Sequence, residues 1–596
     1  MSYQAQYERW LHSPALSQPE KDELAALSHN AGEIEDRFFS LLQFGTAGLR
    51  GVMGVGLRRM NVHVIRHATQ AFANVILAEG KAFAAQGVAI CYDCRVHSQE
   101  FARAAAEVMA GNGIPVRLFE AMRPTPELSF AVREYGCAAG LNVTASHNPP
   151  EYNGYKVYWS DGAQLPPQHA AAIAAQMERL DVFDDIQSLA YETALNKGLI
   201  TLMGKETDDK FLAHVLAQIN DKASVAKVAD TFTMVYTPFH GTGYQQIPYV
   251  LGELGIRHLH CVPEQMVIDG TFPTVKSPNP ETPESFALAL DLAKKVNADL
   301  ILGSDPDADR VAIQVKDKTG QYVQISGNQT GVLLLDYLIG AKKRAGTLPA
   351  DAVALKSLVT TDMARVVAEA NGVKSYNTFT GFKFMAEKKN QLEAAGQGHV
   401  IFSYEESIGY MIGDYVRDKD AVTASLLLTE MTAWYAAQGM TLLDALDALY
   451  AKYGYYGEKT LNLVMPGLEG MALMANLMAK LRQAPPTEIA GTTVLRQKDY
   501  QDGTERDTAS GAVSPMALVG SNVLAYDLAD ETTLVVRPSG TEPKIKVYVL
   551  AKGKDSTDSQ EKVAKYAAWA ETLRLVWVVA ETEFTTLPEA SSTARS

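Results

Sequence analysis

Through most of its length the chain alternates short apolar runs with amphipathic helical stretches, a pattern that restricts it to helices packed on sheets. GVAICYD at 87–93 is followed by SQEFARAAAEVMAGNG at 98–113, IPVRLFE at 114–120 and CAAGLNVTAS at 137–146. A second block opens at 231–255 as strand, glycine turn and helix, and NADLILGSDPDADRVAIQV at 297–315 reads as strand, acidic loop, strand. A third begins near 327, with TGVLLLDYLIGAKKR as its first helix. From about 457 the pattern changes, and it closes with strand, loop and strand at 531–551 and a helix at 558–575. A single core stops growing well below 596 residues, so about four domains are expected. The blocks predict them at 1–205, 206–322, 323–456 and 457–596.

The net charge of −15, with no run of Lys and Arg, excludes a broad nucleic-acid-binding face or a membrane-attracted surface. No stretch of eighteen apolar residues occurs, and the N-terminus lacks a basic start followed by an apolar run, so a cytoplasmic protein is expected. Four cysteines make no disulfide framework. Cys91 and Cys94 form C-x-x-C, but AICYDCR begins inside a strand-like run rather than at a helix start, which favours buried structural thiols over a redox pair.

Five segments carry chemistry. In TASHNPPEYNGYKVYW (144–159), Ser146 follows an apolar strand and precedes His147, Asn148 and two prolines that stop strand or helix from continuing. The segment reads either as a turn serine or as a catalytic hydroxyl on a stiff loop. A protease-type Ser-His couple is not expected, because adjacent residues rarely set imidazole against hydroxyl and no G-x-S-x-G elbow is present. In SDPDADR, Asp305, Asp307 and Asp309 follow an apolar strand at i, i+2 and i+4. Three converging carboxylates repel unless a cation sits among them, and hard oxygen ligands suit Mg²⁺ or Ca²⁺; a solvated acidic turn is the alternative. An EF-hand fails, since Arg310 and Lys316 occupy the positions that loop gives to Gly and Glu. RPSGTEPK (537–544) joins two strand-forming runs, and reads as a hairpin turn or as a phosphate cradle built from Arg537, Ser539, Gly540 and Thr541. SYEESIGY (403–410) sets Glu405, Glu406 and Ser407 after an apolar run, as sugar-hydroxyl acceptors or as a solvated face. FGTAGLRG (44–51) is a glycine-punctuated loop ending at Arg50.

In this order, over about residues 40 to 550, the five segments resemble the α-D-phosphohexomutase superfamily, the phosphoglucomutases and phosphomannomutases. The resemblance implies an α/β fold of four domains around a central cleft: three related α/β domains with mixed sheets, and a C-terminal α+β phosphate-binding domain. It implies a phosphoserine at Ser146 and Mg²⁺ held by Asp305, Asp307, Asp309 and a phosphate oxygen on Ser146. Arg310 would reach the same phosphate, and Arg50, His147, Lys156 and Lys383 become candidates for charge stabilisation or proton transfer. Gly381, Phe382, Glu405 and Ser407 would bind the sugar, and Arg537, Ser539, Gly540 and Thr541 the phosphate that does not react. The E-E-S form of the sugar loop is similar to the branch of bacterial phosphoglucomutases, phosphopentomutases and glucose-1,6-bisphosphate synthases. The implied reaction is glucose 1-phosphate to glucose 6-phosphate through glucose 1,6-bisphosphate, by a monomer or dimer. Pentose and mannose phosphates stay open as substrates. Outside the class stand a phosphohydrolase with an aspartate nucleophile, which would leave the serine loop idle, and a non-catalytic sugar-phosphate binder, which would not need both serine and triad.

Overall fold

A computed structural model describes residues 2–45, 48–465, 470–539 and 544–574. The chain divides into two compact units, one formed by 1–357 with 367–446 and the other by 358–366 with 447–596.

The first unit contains three sheets built to one plan. Strands β1 (Leu49–Val52), β2 (Val88–Tyr92), β3 (Val116–Phe119), β4 (Ala139–Val143), β5 (Tyr152–Trp159) and β6 (Ile200–Met203) lie in the order β1-β5-β4-β2-β3-β6. Strands β2, β3, β4 and β6 run parallel, while β5 folds back antiparallel on β4 and β1 on β5. In the second sheet, β7 (Thr233–Thr237), β8 (His258–Cys261), β9 (Leu300–Ser304), β10 (Val311–Lys316) and β11 (Tyr322–Ile325) are ordered β11-β10-β9-β7-β8. Here too a parallel trio ends in an antiparallel return from β9 to β10. The third sheet, β13-β12-β14-β15, repeats it with β12 (Ala352–Ser357), β13 (Lys374–Thr378), β14 (His399–Glu405) and β15 (Gly409–Met411), the return being β14 to β15.

The central strands VAICY, AGLNV and LILGS are buried at every position, as the continuous apolar runs require when helices cover both faces. The helices take their ends from local chemistry. Asn61 accepts from the backbone of Val64 to start Val62–Ala78, and Ser326 with Gln329 forms a capping box at Gly327–Ala345, caps worth about 1 kcal/mol each. Three N-terminal helices, Tyr3–Leu11, Gln18–Ala26 and Ala31–Phe38, add Trp10 and Phe38 to the first core, ring to ring at 5.8 Å.

The second unit carries one sheet of eight strands. They are β16 (Tyr455–Val464), β17 (Glu488–Ile489), β18 (Thr492–Asp499), β19 (Thr504–Asp507), β20 (Val513–Pro515), β21 (Leu524–Leu528), β22 (Thr532–Pro538) and β23 (Lys544–Gly553). All its pairings are antiparallel, and helices Gly470–Gln483 and Ser556–Thr572 contribute to its core. This is the α+β character expected of the C-terminal part. Among the described residues no helix is long and apolar enough to cross a membrane. All four cysteines are free, with Cys91 buried in β2 and Cys94 half-buried just beyond it.

Candidate active site

Each sheet of the first unit places one motif at the same point, where the last parallel strand turns into its antiparallel neighbour. The serine loop joins β4 to β5, the aspartates join β9 to β10, and Glu406–Ile408 join β14 to β15. Each turn contains one residue in the left-handed region, Ser146 at φ 53°, Ala308 at 50° and Ile408 at 56°. Such a conformation costs a side-chain-bearing residue about 1–3 kcal/mol and persists only where its surroundings enforce it.

Ser146 is 3% exposed. Its backbone N–H donates to Thr144 Oγ1 at 2.8 Å, and its Oγ donates to Asp305 Oδ2 at 2.8 Å. His147 Nδ1 lies 3.2 Å from the same Oγ, so the expectation that adjacency would keep imidazole from hydroxyl is corrected. The left-handed turn at Ser146 swings the two consecutive side chains together. Burial, with the charges of Arg310 and Arg50, holds His147 neutral, well below its usual range. Arg50, on β1, reaches this loop through a hydrogen bond from Nη1 to Asn148 Oδ1 at 3.0 Å.

Asp305, Asp307 and Asp309 are buried, and each offers an oxygen within 4.8 Å of the others. Lys156 Nζ donates to Asp307 Oδ2 at 2.7 Å and to Asp309 Oδ2 at 3.3 Å. Lys419 Nζ stands 3.3 Å from Asp309 Oδ2. Burial opposes the charge on Lys156, but Asp307 and Asp309 outweigh it and raise its pKa. Arg310 Nε stands 3.9 Å from Asp309 Oδ1, yet burial and the neighbouring Asp307 and Asp309 push the Asp305 carboxyl well up. Asp305 Oδ1 accepts the backbone N–H groups of Asp309 and Arg310, whereas Asp307 Oδ1 and Asp309 Oδ1, also buried, accept no hydrogen bond. Orphaned, buried, hard oxygen acceptors are what a small divalent cation satisfies, so these residues fit a metal site.

The third hairpin adjoins the second. Arg310 forms a bridge with Gly409, and its Nη1 donates to the carbonyl of Ser407 at 3.3 Å. Glu405, buried at the end of β14, accepts the N–H of Gly381 at 2.6 Å, which ties the Gly381–Phe382–Lys383 loop to the sugar-loop motif. Phe382 is buried and Lys419 Nζ lies 5.2 Å from its ring centre. Lys383 is half-buried over Phe384, and burial lowers its pKa to about 8. In the second unit Arg537 lies in β22, and Ser539 N–H donates to Lys544 O at 2.8 Å. Gly540 and Thr541 lie outside the described residues.

Three residues went unread in the sequence. Lys419 belongs to Arg417-Asp418-Lys419-Asp420, four consecutive charged residues that are all buried. A charge run normally means a solvated turn; its position right after the sugar-loop motif was the available signal. Thr125 donates from Oγ1 to Asp307 Oδ2 at 2.7 Å, 182 positions away, and is itself held by Asn142 Nδ2 at 2.7 Å. Arg95 reaches the serine loop from the end of β2, and a lone arginine gave no signal at all.

Models described as Phosphoglucomutase/phosphomannomutase, α/β/α domains I, II and III match residues 41–182, 209–320 and 326–453, and that of the C-terminal domain matches 492–566. A phosphoglucomutase of Staphylococcus aureus (strain bovine RF122 / ET3-1) is 36% identical over 535 residues, covering 89% of this chain and 93% of its own. One from Staphylococcus epidermidis is 34% identical over 519 residues, covering 87% and 92%. The fold is similar to that of the exocytosis-sensitive phosphoprotein parafusin, a phosphoglucomutase from Paramecium in its open form, with TM-score 0.63, 17% identity and coverage of 93% and 97%.

Proposed function

Since the chain belongs to the phosphoglucomutase/phosphomannomutase family, we propose that it interconverts glucose 1-phosphate and glucose 6-phosphate in the cytoplasm, with Ser146 as phosphoryl carrier. The observation that carries this is the 2.8 Å contact between Ser146 Oγ and Asp305, which makes two motifs 159 positions apart a single site. Phosphorylated Ser146 gives its phosphoryl group to the free hydroxyl of the sugar phosphate: the Ser146 O–P bond breaks, a sugar O–P bond forms, and glucose 1,6-bisphosphate results. After the bisphosphate turns over, its opposite phosphate returns to Ser146. Positioning and charge neutralisation supply the rate in such transfers.

Asp305, Asp307, Asp309 and a Ser146 phosphate oxygen would hold Mg²⁺, which when bound supplies neutralisation of the phosphoryl charge. Arg310 and Arg50 add positive charge beside Ser146, while Lys156 and Lys419 keep the carboxylates fixed. The sugar hydroxyl must lose its proton; neutral His147 beside Ser146 Oγ and Lys383, with its pKa near 8, are the candidate acceptors. Glu405, Ser407, Gly381 and Phe382 would read the sugar, and Arg537, Ser539, Gly540 and Thr541 the second phosphate. Domain limits at 1–205, 206–322, 323–456 and 457–596 form part of the proposal; each range encloses one sheet, save the last three residues of β11 and the first two of β16.

The test is peptide mapping after incubation with glucose 1,6-bisphosphate, which should find one phosphate, on Ser146. A coupled assay on glucose, mannose, N-acetylglucosamine and ribose 1-phosphates should favour glucose. Release of free phosphate without isomer would sink the proposal.

A further inference from the structure

Two prolines stiffen the serine loop, but they do not explain why Ser146 itself stays in the left-handed region. The guanidinium of Arg95 does. The Arg95 side chain is fully buried. Nη2 donates to the carbonyls of Ser146 at 2.6 Å and Asn148 at 2.5 Å, and Nη1 to those of Pro149 at 2.9 Å and Tyr152 at 3.0 Å. The loop is thus wrapped around one planar cation that addresses four of its carbonyls. Phe272 covers the guanidinium, with its ring centre 5.0 Å from Cζ.

We propose that Arg95 is the positioning residue of the phosphoryl carrier, holding the Ser146–Tyr152 backbone so that Oγ stays against Asp305. The inference rests on the mutase reading of Ser146. An arginine kept merely for a structural ion pair would turn its fork to the carboxylate. Asp93 Oδ2 is 3.4 Å from Nε, farther than any of the four carbonyls, and Asp93 Oδ1 is engaged by Arg95 N–H and Ser98 Oγ. Converged carbonyl oxygens would also repel one another and a phosphate on Ser146; the guanidinium among them removes that repulsion. Lysine cannot substitute, since its three donors radiate from one point and cannot serve two pairs of carbonyls.

The test compares Arg95→Lys and Arg95→Ala with the wild type. Misplacement of a reacting group by about 1 Å costs on the order of 100-fold, so kcat should fall by about that factor with KM for glucose 1-phosphate held within about threefold. Amide exchange over 146–152 should accelerate at least about tenfold, with exchange over 300–310 unchanged. Guanidinium ion should restore part of the Arg95→Ala activity where methylammonium does not. Full kcat in Arg95→Lys, or unchanged exchange over 146–152, overturns the proposal. So does loss of the cooperative melting transition in both variants, because a positioning device must be removable without unfolding the sheet. Absence of mutase activity in the wild type would instead defeat the parent reading, and the exchange comparison would still decide the role of Arg95.

Discussion

The serine loop and the aspartate loop occupy the same topological place, each the return from a parallel strand to an antiparallel one, yet they are held in opposite ways. The aspartate loop is held by its side chains: Asp305 Oδ1 ties down the N–H groups of Asp309 and Arg310, and Lys156 and Thr125, far off in sequence, fasten Asp307. The serine loop is held by its backbone carbonyls, which accept from Arg95 and, at His147, from Ser277 Oγ at 3.0 Å. A loop that concentrates negative charge needs its counter-charges built in, because uncompensated buried carboxylates are costly. On the proposed mechanism the Ser146 hydroxyl gains and loses a phosphoryl group, so the loop takes its rigidity from its backbone rather than from that hydroxyl. On that mechanism, one scaffold position serves as a fixed electrostatic floor in the second domain and as a loadable carrier in the first.

The sharpest break of this comparison is Ser146→Ala, which should lower mutase turnover by at least about 1,000-fold in the coupled assay and abolish phosphopeptide labelling, while leaving the melting temperature almost unchanged. Asp307→Asn attacks the fixed floor instead. It should cost about 100-fold or more in kcat and also lower the melting temperature by calorimetry, since breaking a buried pair leaves Lys156 partly uncompensated at about 3–5 kcal/mol. A destabilised Ser146→Ala beside an undisturbed Asp307→Asn would reverse the assignment of carrier and floor. Chelation belongs with this pair: activity should vanish after EDTA and return with Mg²⁺.

Thr125→Val removes a single donor to Asp307 and should raise the Mg²⁺ concentration needed for half-maximal rate by about tenfold, with kcat at saturating Mg²⁺ nearly preserved. The smallest effect lies outside both loops, at Lys383. Its pKa, lowered to about 8, leaves it an ammonium below that pH and neutral above it. If it binds phosphate as a cation, KM should rise a few-fold, on the order of 3-fold, as pH passes upward through about 8, and Lys383→Arg should remove that rise. A pH-independent KM in the wild type would place the necessary charge entirely on the first two loops.

The sequence by itself determined the chemistry that each segment could perform and the class of fold. Buried strands such as VAICY and LILGS announce a sheet covered on both faces, and three aspartates on alternate positions after a strand announce carboxylates that can converge on a cation, because both signals are local. The family resemblance carried by the serine and aspartate motifs holds over residues 41–182, 209–320, 326–453 and 492–566. What only the tertiary structure decided is which charges meet. Lys156 against Asp307 and Thr125 against Asp307 span 151 and 182 positions, and the approach of His147 to Ser146 Oγ depends on a single left-handed residue that no propensity favours. Periodicity records how a segment prefers to fold. It does not record which distant dipole or ammonium will neutralise a buried carboxylate, and for that reason neither Lys419 nor Arg95 stood out in the sequence.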